Sequence, residues 1–417
     1  MSEGGAERSS LVFDWNTAGC RRDSGLAPVR LLDETLRDGL QSPSVVDPPI
    51  DDKRELLCLM DRLGIDTADL GLPGAGARQV RHVTALCRAI ADRRLALRPA
   101  CAARTLAADI QPILDITQAT GLPIEILTFL GASPIRVHTE GWTHAMMRTL
   151  VRDAVRLGVK SGHEVAFVTE DTVRAHPDVL EELFRVAIAE GAQRLVLCDT
   201  VGHATPEGVR AVVTWTRELL ERLGATHVGL DFHGHNDRGL GLVNALTAHE
   251  HGCTRLHATA LGLGERVGNT PMDQLIVNLA LLGHHTRDLS DLLRYAHRAS
   301  LATGRPIPYN YPVLGQDAFR TATGVHAAAV AKALRRGDTA AADLVYCGVP
   351  AALVGKSQTL EVGPLSGESN VIAWLDARGH GANPALVAAL LRSAKRSDHT
   401  LSDDELEGIV ARFVSPS

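Results

Sequence analysis

The chain has 417 residues, with 43 lysines and arginines against 49 aspartates and glutamates, and a formal net charge of −6. That length exceeds one ordinary domain but suits a large α/β barrel with an appendage, and 45% apolar residues are ample for a core. A mildly acidic balance with no basic stripe argues against nucleic-acid binding and gives no electrostatic attraction to a membrane.

Residues 1–27 are polar and rich in Gly, Ser and Arg, so they read as a flexible arm rather than a secretory signal. No later run is long enough to span a bilayer. The seven cysteines stand singly and are odd in number, which fits a reducing cytoplasm better than a disulfide framework or a zinc knuckle.

From about Val29 to His285 one unit recurs, a short β-branched or Leu-rich run followed by an amphipathic stretch. Eight strands are expected, at Val29–Thr35, Thr67–Leu72, Leu95–Cys101, Ile124–Gly131, Glu164–Glu170, Arg194–Thr200, His227–His235 and Arg255–Gly264. Helices fill the gaps, among them Asp52–Leu63, Ala77–Asp92, His144–Lys160, His176–Ala189, Pro206–Leu223, Gly239–His251 and Pro271–Leu282. So regular a count points to a closed (β/α)8 barrel, here residues 28–300, rather than an open sheet. The prolines between Pro306 and Pro312 end the rhythm. Residues 301–417 read as a linker and a small, mainly helical appendage, with helices around Val325–Leu334, Asn370–Ala377, Pro384–Ala394 and Asp403–Phe413.

In such a barrel the chemistry sits at the C-terminal ends of the strands. Asp38, Glu170, Thr200, His233, His235, Glu265 and Asn269 all fall at or just past such ends. His233 and His235, at i and i+2 on a strand, project from one face and can grip one cation. Asp38 supplies a third ligand far upstream, and Arg37 beside it an anion-stabilising charge. A histidine pair or an Arg-Asp-Gly turn alone is commonplace; their combination with Gly264-Glu265-Arg266-Val267-Gly268-Asn269 points to a metal enzyme.

The motifs Glu34-Thr35-Leu36-Arg37-Asp38-Gly39-Leu40-Gln41, His233-Gly234-His235-Asn236-Asp237-Arg238-Gly239 and Gly264 to Asn269 resemble those of the metal-dependent barrel family of 2-isopropylmalate synthase, homocitrate synthase and hydroxymethylglutaryl-CoA lyase. The resemblance covers nearly the whole chain. It continues through Asp199-Thr200-Val201-Gly202 and, toward the synthase branch, through Thr323-Gly324-Val325-His326 and Gly363 to Asn370.

The resemblance implies condensation of acetyl-CoA with a 2-oxo acid to an alkylmalate-type product, in a homodimer. Asp38, His233 and His235, completed by Asn269 or water, would hold a divalent ion, whether zinc, manganese, magnesium or cobalt. Arg37 matches the catalytic arginine and Glu170 an active-site acid. Thr200 and Gln41 match substrate contacts. His326 and Tyr346 match positions from which the appendage supplies the base, across the dimer.

Two features depart from the synthase pattern. Arg-Asp-Gly-Leu-Gln at 37–41 is also the lyase version, yet Leu261 to Pro271 lacks the lyase cysteine, which favours synthesis over cleavage. Arg136 stands where many synthases have His, and Leu127 where the family has another. An arginine facing the pocket would pair with an anionic distal group, as in oxaloacetate, 2-oxoglutarate, phosphonopyruvate or phosphinopyruvate, whereas an apolar pocket suits 2-oxoisovalerate or pyruvate. The chain stops soon after the appendage, so a leucine-sensing domain and leucine feedback are not expected. A non-catalytic barrel used as a regulatory subunit would need a broken metal set, and here the set is intact.

Overall fold

The computed structural model describes residues 11–16 and 28–414; most of the arm expected over 1–27 lies outside the described residues. Strands β1 (Arg30–Asp33), β2 (Thr67–Asp69), β3 (Arg98–Arg104), β4 (Glu125–Gly131), β5 (Val165–Glu170), β6 (Arg194–Asp199), β7 (Gly229–Gly234) and β8 (Arg255–Ala258) form a closed parallel barrel in sequence order. Closure is by register of β1 on β8, with Arg30 opposite Arg255 and Leu32 opposite His257. The third strand begins three residues later than the sequence pattern suggests. The eighth ends early, at Ala258, because Thr259 and the short turn Ala260–Gly262 leave the ladder.

Every strand is buried on both faces, which is why the sequence shows apolar runs rather than alternation. Leu31, Cys101, Ile126, Phe167, Leu195 and Phe232 point outward into the layer shared with the helices. Leu32, Ala100, Leu127, Ala166, Val196 and Cys198 point inward and form a separate apolar plug. The outer ring is α1 (Ile50–Arg62), α2 (Ala77–Arg93), α3 (Ala107–Thr120), the short α4 (Pro134–Glu140), α5 (His144–Lys160), α6 (Pro177–Ala189), α7 (Pro206–Arg222), α8 (Gly241–Glu250), α9 (Met272–Leu281) and α10 (Leu292–Thr303). Local chemistry starts several of them: Thr143 and Thr205 accept from the backbone N–H of Met146 and Gly208, and proline opens α4, α6 and α7. Helix α3 forms although Pro112 lies inside it, its buried Ile110, Ile113 and Ile116 outweighing the lost hydrogen bond.

Past α10, Val313, Leu314, Phe319, Ala351 and Val354 still pack on the barrel's core. The appendage holds α11 (Gly324–Arg335), α12 (Thr339–Leu344), α13 (Glu368–Ala377), α14 (Pro384–Arg396) and α15 (Asp403–Val414), with a two-stranded parallel sheet of β9 (Arg320–Thr321) and β10 (Thr359–Leu360). A second apolar core runs from Val362 to Val410. Among the described residues no helix is long and apolar enough to cross a membrane.

Candidate active site

At the C-terminal end of β1 the backbone turns sharply, the Arg37 and Gly39 N–H groups both donating to the Glu34 carbonyl at 3.1 and 3.0 Å. This turn aims Arg37 and Asp38 at the barrel axis. Opposite, the N–H of His235 donates to the Asp199 carbonyl, and His235 bridges Asn269 in the loop after β8. That loop crosses so close to β7 that a side chain at Gly264 would collide with Asn269 Oδ1, so the glycine is required.

Three buried donors converge here. Asp38 Oδ2 lies 3.4 Å from His235 Nε2 and 3.7 Å from His233 Nε2, and the ligand atoms all lie within 4.8 Å of one another. Bonds of about 2.1 Å to a shared ion space its donors about 3–4 Å apart, so the set fits a divalent cation. Asn269 donates from Nδ2 to Asp38 Oδ2 at 2.5 Å, while its own Oδ1 is buried without a partner. Glu34 Oε2 accepts from His233 Nδ1 at 2.6 Å, which fixes the tautomer that presents a bare Nε2 to an ion.

Arg37 is held by three carboxylates: Nε to Asp69 Oδ2 at 2.7 Å, Nη1 to Asp38 Oδ1 at 2.8 Å and Nη2 to Glu34 Oε1 at 2.7 Å. Burial works against its charge, but the three acids keep it firmly protonated. Burial likewise opposes ionisation of Asp38 and Glu34. Arg37 and the histidines nevertheless hold both well below the usual carboxylate range. Asp69, with less compensation, is pushed up to about 6 by burial.

The donors open into a cavity of about 220 Å³. Its mouth carries Gln41, Glu170, Thr200, Glu265 and Arg266, and its wall is Leu72, Ala102, Leu127, Phe129, Val168, Val196 and Cys198. Burial raises the Cys198 thiol far above its ordinary value, which removes it as a nucleophile.

A family model described as HMGL-like matches residues 28–298. The chain belongs to the HMGL-like family. It is 30% identical to the homocitrate synthase AksA of Methanopyrus kandleri over 93% of this chain and 92% of that protein. It is 31% identical to a putative (R)-citramalate synthase CimA of Methanoculleus marisnigri over 88% and 68%, and 28% identical to a 2-isopropylmalate synthase of Nitratidesulfovibrio vulgaris over 93% and 74%. Among solved structures, the HMG-CoA lyase of Brucella melitensis shares the barrel, with a TM-score of 0.54, 20% identity, and coverage of 66% of this chain and 98% of that one. Like these synthase relatives, the chain is an enzyme of the acyltransferase class that turns an acyl group into an alkyl group on transfer.

In this HMGL-like barrel Asp38, His233, His235, Asn269 and Arg37 are brought together, and Gln41, Glu170 and Thr200 line the same cavity. Burial raises the Glu170 carboxyl, with Arg136 opposing. Thr200 Oγ1 accepts from the Asp171 N–H at 2.8 Å. Arg136, on α4, stays outside the lining residues: it pairs with Glu140 at 2.7 Å and Glu170 at 3.2 Å and lies over the Trp142 ring. His326, on α11, and Tyr346, after α12, stack at 4.0 Å between ring centroids and face solvent rather than this chain's cavity.

Glu34, Asp69, Asp231 and His257 carry no role of their own in the sequence motifs. His257 is buried between Glu34 and Asp231, and although burial opposes its charge, those two acids raise its pKa. Period two was the available signal: it links Asp231 to His233 and Arg255 to His257, polar side chains spaced two apart in strands otherwise apolar.

Proposed function

We propose that the chain condenses acetyl-CoA with a 2-oxo acid bearing an apolar side chain, giving a 2-hydroxy-2-alkyl dicarboxylate and CoA. The observation that carries the choice of substrate is the apolar cavity wall from Leu72 to Cys198. A second anionic group placed against it would lose its hydration without gaining a partner. Of the two arginines at the cavity, Arg37 sits at the metal-ligand end with three carboxylates around it, away from the apolar wall, and Arg266 pairs with Asp237 at the mouth. Arg136 pairs with Glu140 at 2.7 Å and lies 3.2 Å from Glu170, outside the residues that line the cavity.

In this reading Asp38, His233 and His235, with Asn269, hold the divalent ion; mixed oxygen and nitrogen donors suit zinc, manganese, cobalt or magnesium. When bound, the ion polarises the keto carbonyl of the 2-oxo acid. Arg37 lies beside the point where negative charge develops as the carbon–carbon bond forms. Thr200 and Gln41 orient the substrate. Glu170, at the cavity mouth with its carboxyl raised by burial, exchanges a proton with the new hydroxyl. A base removes a methyl proton from acetyl-CoA; we assign that task to His326 with Tyr346 of a second copy, since within one chain the pair faces solvent. Attack on the keto carbon gives a hydroxyacyl-CoA, and water then cleaves its thioester to release CoA.

The test is a panel of 2-oxo acids with acetyl-CoA and a thiol reagent for released CoA. Pyruvate, 2-oxobutyrate or 2-oxoisovalerate is expected to exceed oxaloacetate, 2-oxoglutarate and phosphonopyruvate in kcat/KM by about ten- to hundredfold. Preference for an anionic member overturns the substrate choice. Release of acetyl-CoA from a hydroxyacyl-CoA, without condensation, overturns the reaction.

A further inference from the structure

Below the ligands an unbroken chain of buried polar groups descends the barrel axis. Glu34 Oε1 faces His257 Nδ1 at 3.0 Å, and His257 Nε2 faces Asp231 Oδ2 at 3.1 Å. Arg255 donates from Nε to Asp231 at 2.7 Å and bidentately to Glu125 at 2.7 Å, while Arg194 holds the other Asp231 oxygen. Glu34, Asp231 and His257 are each no more than 1% exposed. A ring with carboxylates at both nitrogens donates from both, so its plane and position are fixed from either side.

Its upper partner is not a bystander. The same Glu34 carboxylate orients His233 through Nδ1 and Arg37 through Nη2. A carboxylate carrying so much direction needs fixing itself, since otherwise it swings toward Arg37. The lower end supplies that anchor, because Asp231 is locked by two arginines.

We infer that His257 is a positioning residue: clamped between Asp231 and Glu34, it fixes the Glu34 carboxylate and, through it, the directions of His233 and Arg37. The inference rests on the metal reading of the site, not on which 2-oxo acid is used.

Two substitutions separate this role from simple packing. Asn places its amide nitrogen where histidine has Nδ1, and Gln places it where histidine has Nε2. His257→Asn therefore keeps the bond to Glu34, and His257→Gln keeps only the bond to Asp231. Co2+ is titrated into the metal-free full chain, with affinity read by competition with a chromophoric chelator and geometry by the visible cobalt spectrum. We expect His257→Asn to bind Co2+ within about threefold of wild type with an unchanged spectrum. His257→Gln should bind about 10- to 100-fold more weakly, with an altered spectrum and a fall in kcat rather than a rise in KM. A packing role gives the reverse order, since Gln fills the site better. Wild-type affinity in folded His257→Gln, or equal losses in both variants, overturns the inference. So does failure of both to fold. If only His257→Gln is unfolded, the Asn variant decides: a loss beyond tenfold overturns it. Wild-type protein that binds Co2+ but condenses no 2-oxo acid refutes the proposed reaction and leaves this inference standing.

Discussion

The two ends of the barrel interior use the same residue types to opposite effect. At the N-terminal end Glu125, Asp231 and Arg255 are buried, Arg194 is partly so, and the four satisfy one another, with no buried side-chain nitrogen or oxygen among them lacking a partner. At the C-terminal end Asp38, His233, His235 and Asn269 are equally buried, yet Asn269 Oδ1 and His235 Nδ1 have no partner and two histidine Nε2 atoms crowd one carboxylate oxygen. A buried polar group that is fully paired contributes structure, and one left short of a partner marks where a ligand belongs. Burial alone would not separate these ends; satisfaction does.

The comparison breaks most visibly at the upper end. His235→Ala should lose turnover by on the order of a thousandfold or more and lose its divalent ion, while circular dichroism stays native. Full activity in metal-stripped protein would show that the unsatisfied donors are not a metal site. At the lower end, Glu125→Ala strands part of the Arg255 charge and should cost about 3–5 kcal/mol in urea unfolding. The folded variant should keep kcat, since Arg194 and Arg255 still hold Asp231 beneath His257 without Glu125. Loss of turnover at unchanged stability would mean the two ends do not divide as described.

A milder change at the top sharpens the contrast. Arg37→Lys keeps the charge but not the fork that reaches Glu34, Asp38 and Asp69, so kcat should fall about 10²- to 10³-fold with little change in substrate KM. An unchanged kcat removes Arg37 from the reaction.

The smallest effect concerns acids that belong to neither end. Burial raises Asp33 and Asp273 to about 6, partly opposed by the Thr35 and Tyr295 bonds to Asp33 and by the Leu261 N–H to Asp273. Between about pH 4 and 6 the folded chain holds protons that the unfolded chain has released, so these groups make stability decline as pH rises through that window. Asp38, whose value is depressed, acts in the other sense: its contribution is present above about pH 4 and is lost as pH falls. In metal-free protein, Asp33→Asn should flatten the decline between pH 4 and 6 by on the order of 1–3 kcal/mol. A slope identical to wild type in a thermal-melt series would show that Asp33 titrates normally.

Much of this was written in local sequence. Apolar runs flanked by glycine and helix-starting prolines gave eight βα units, because strand and helix periodicities are local properties. Two histidines spaced two apart announce a shared face for the same reason. The site's composition was less legible. Asp38 and Asn269, 231 positions apart, meet only because β1 closes on β8. Glu34 and His257, 223 positions apart, form a pair only because that closure brings Leu32 opposite His257. Spacing cannot say which inward side chain of one strand faces which of another; shear and closure decide it. Nor could it tell a pocket arginine from a rim one. Arg136 lies against Glu140 one helical turn along and Glu170 on the next strand, neighbours that linear spacing does not name.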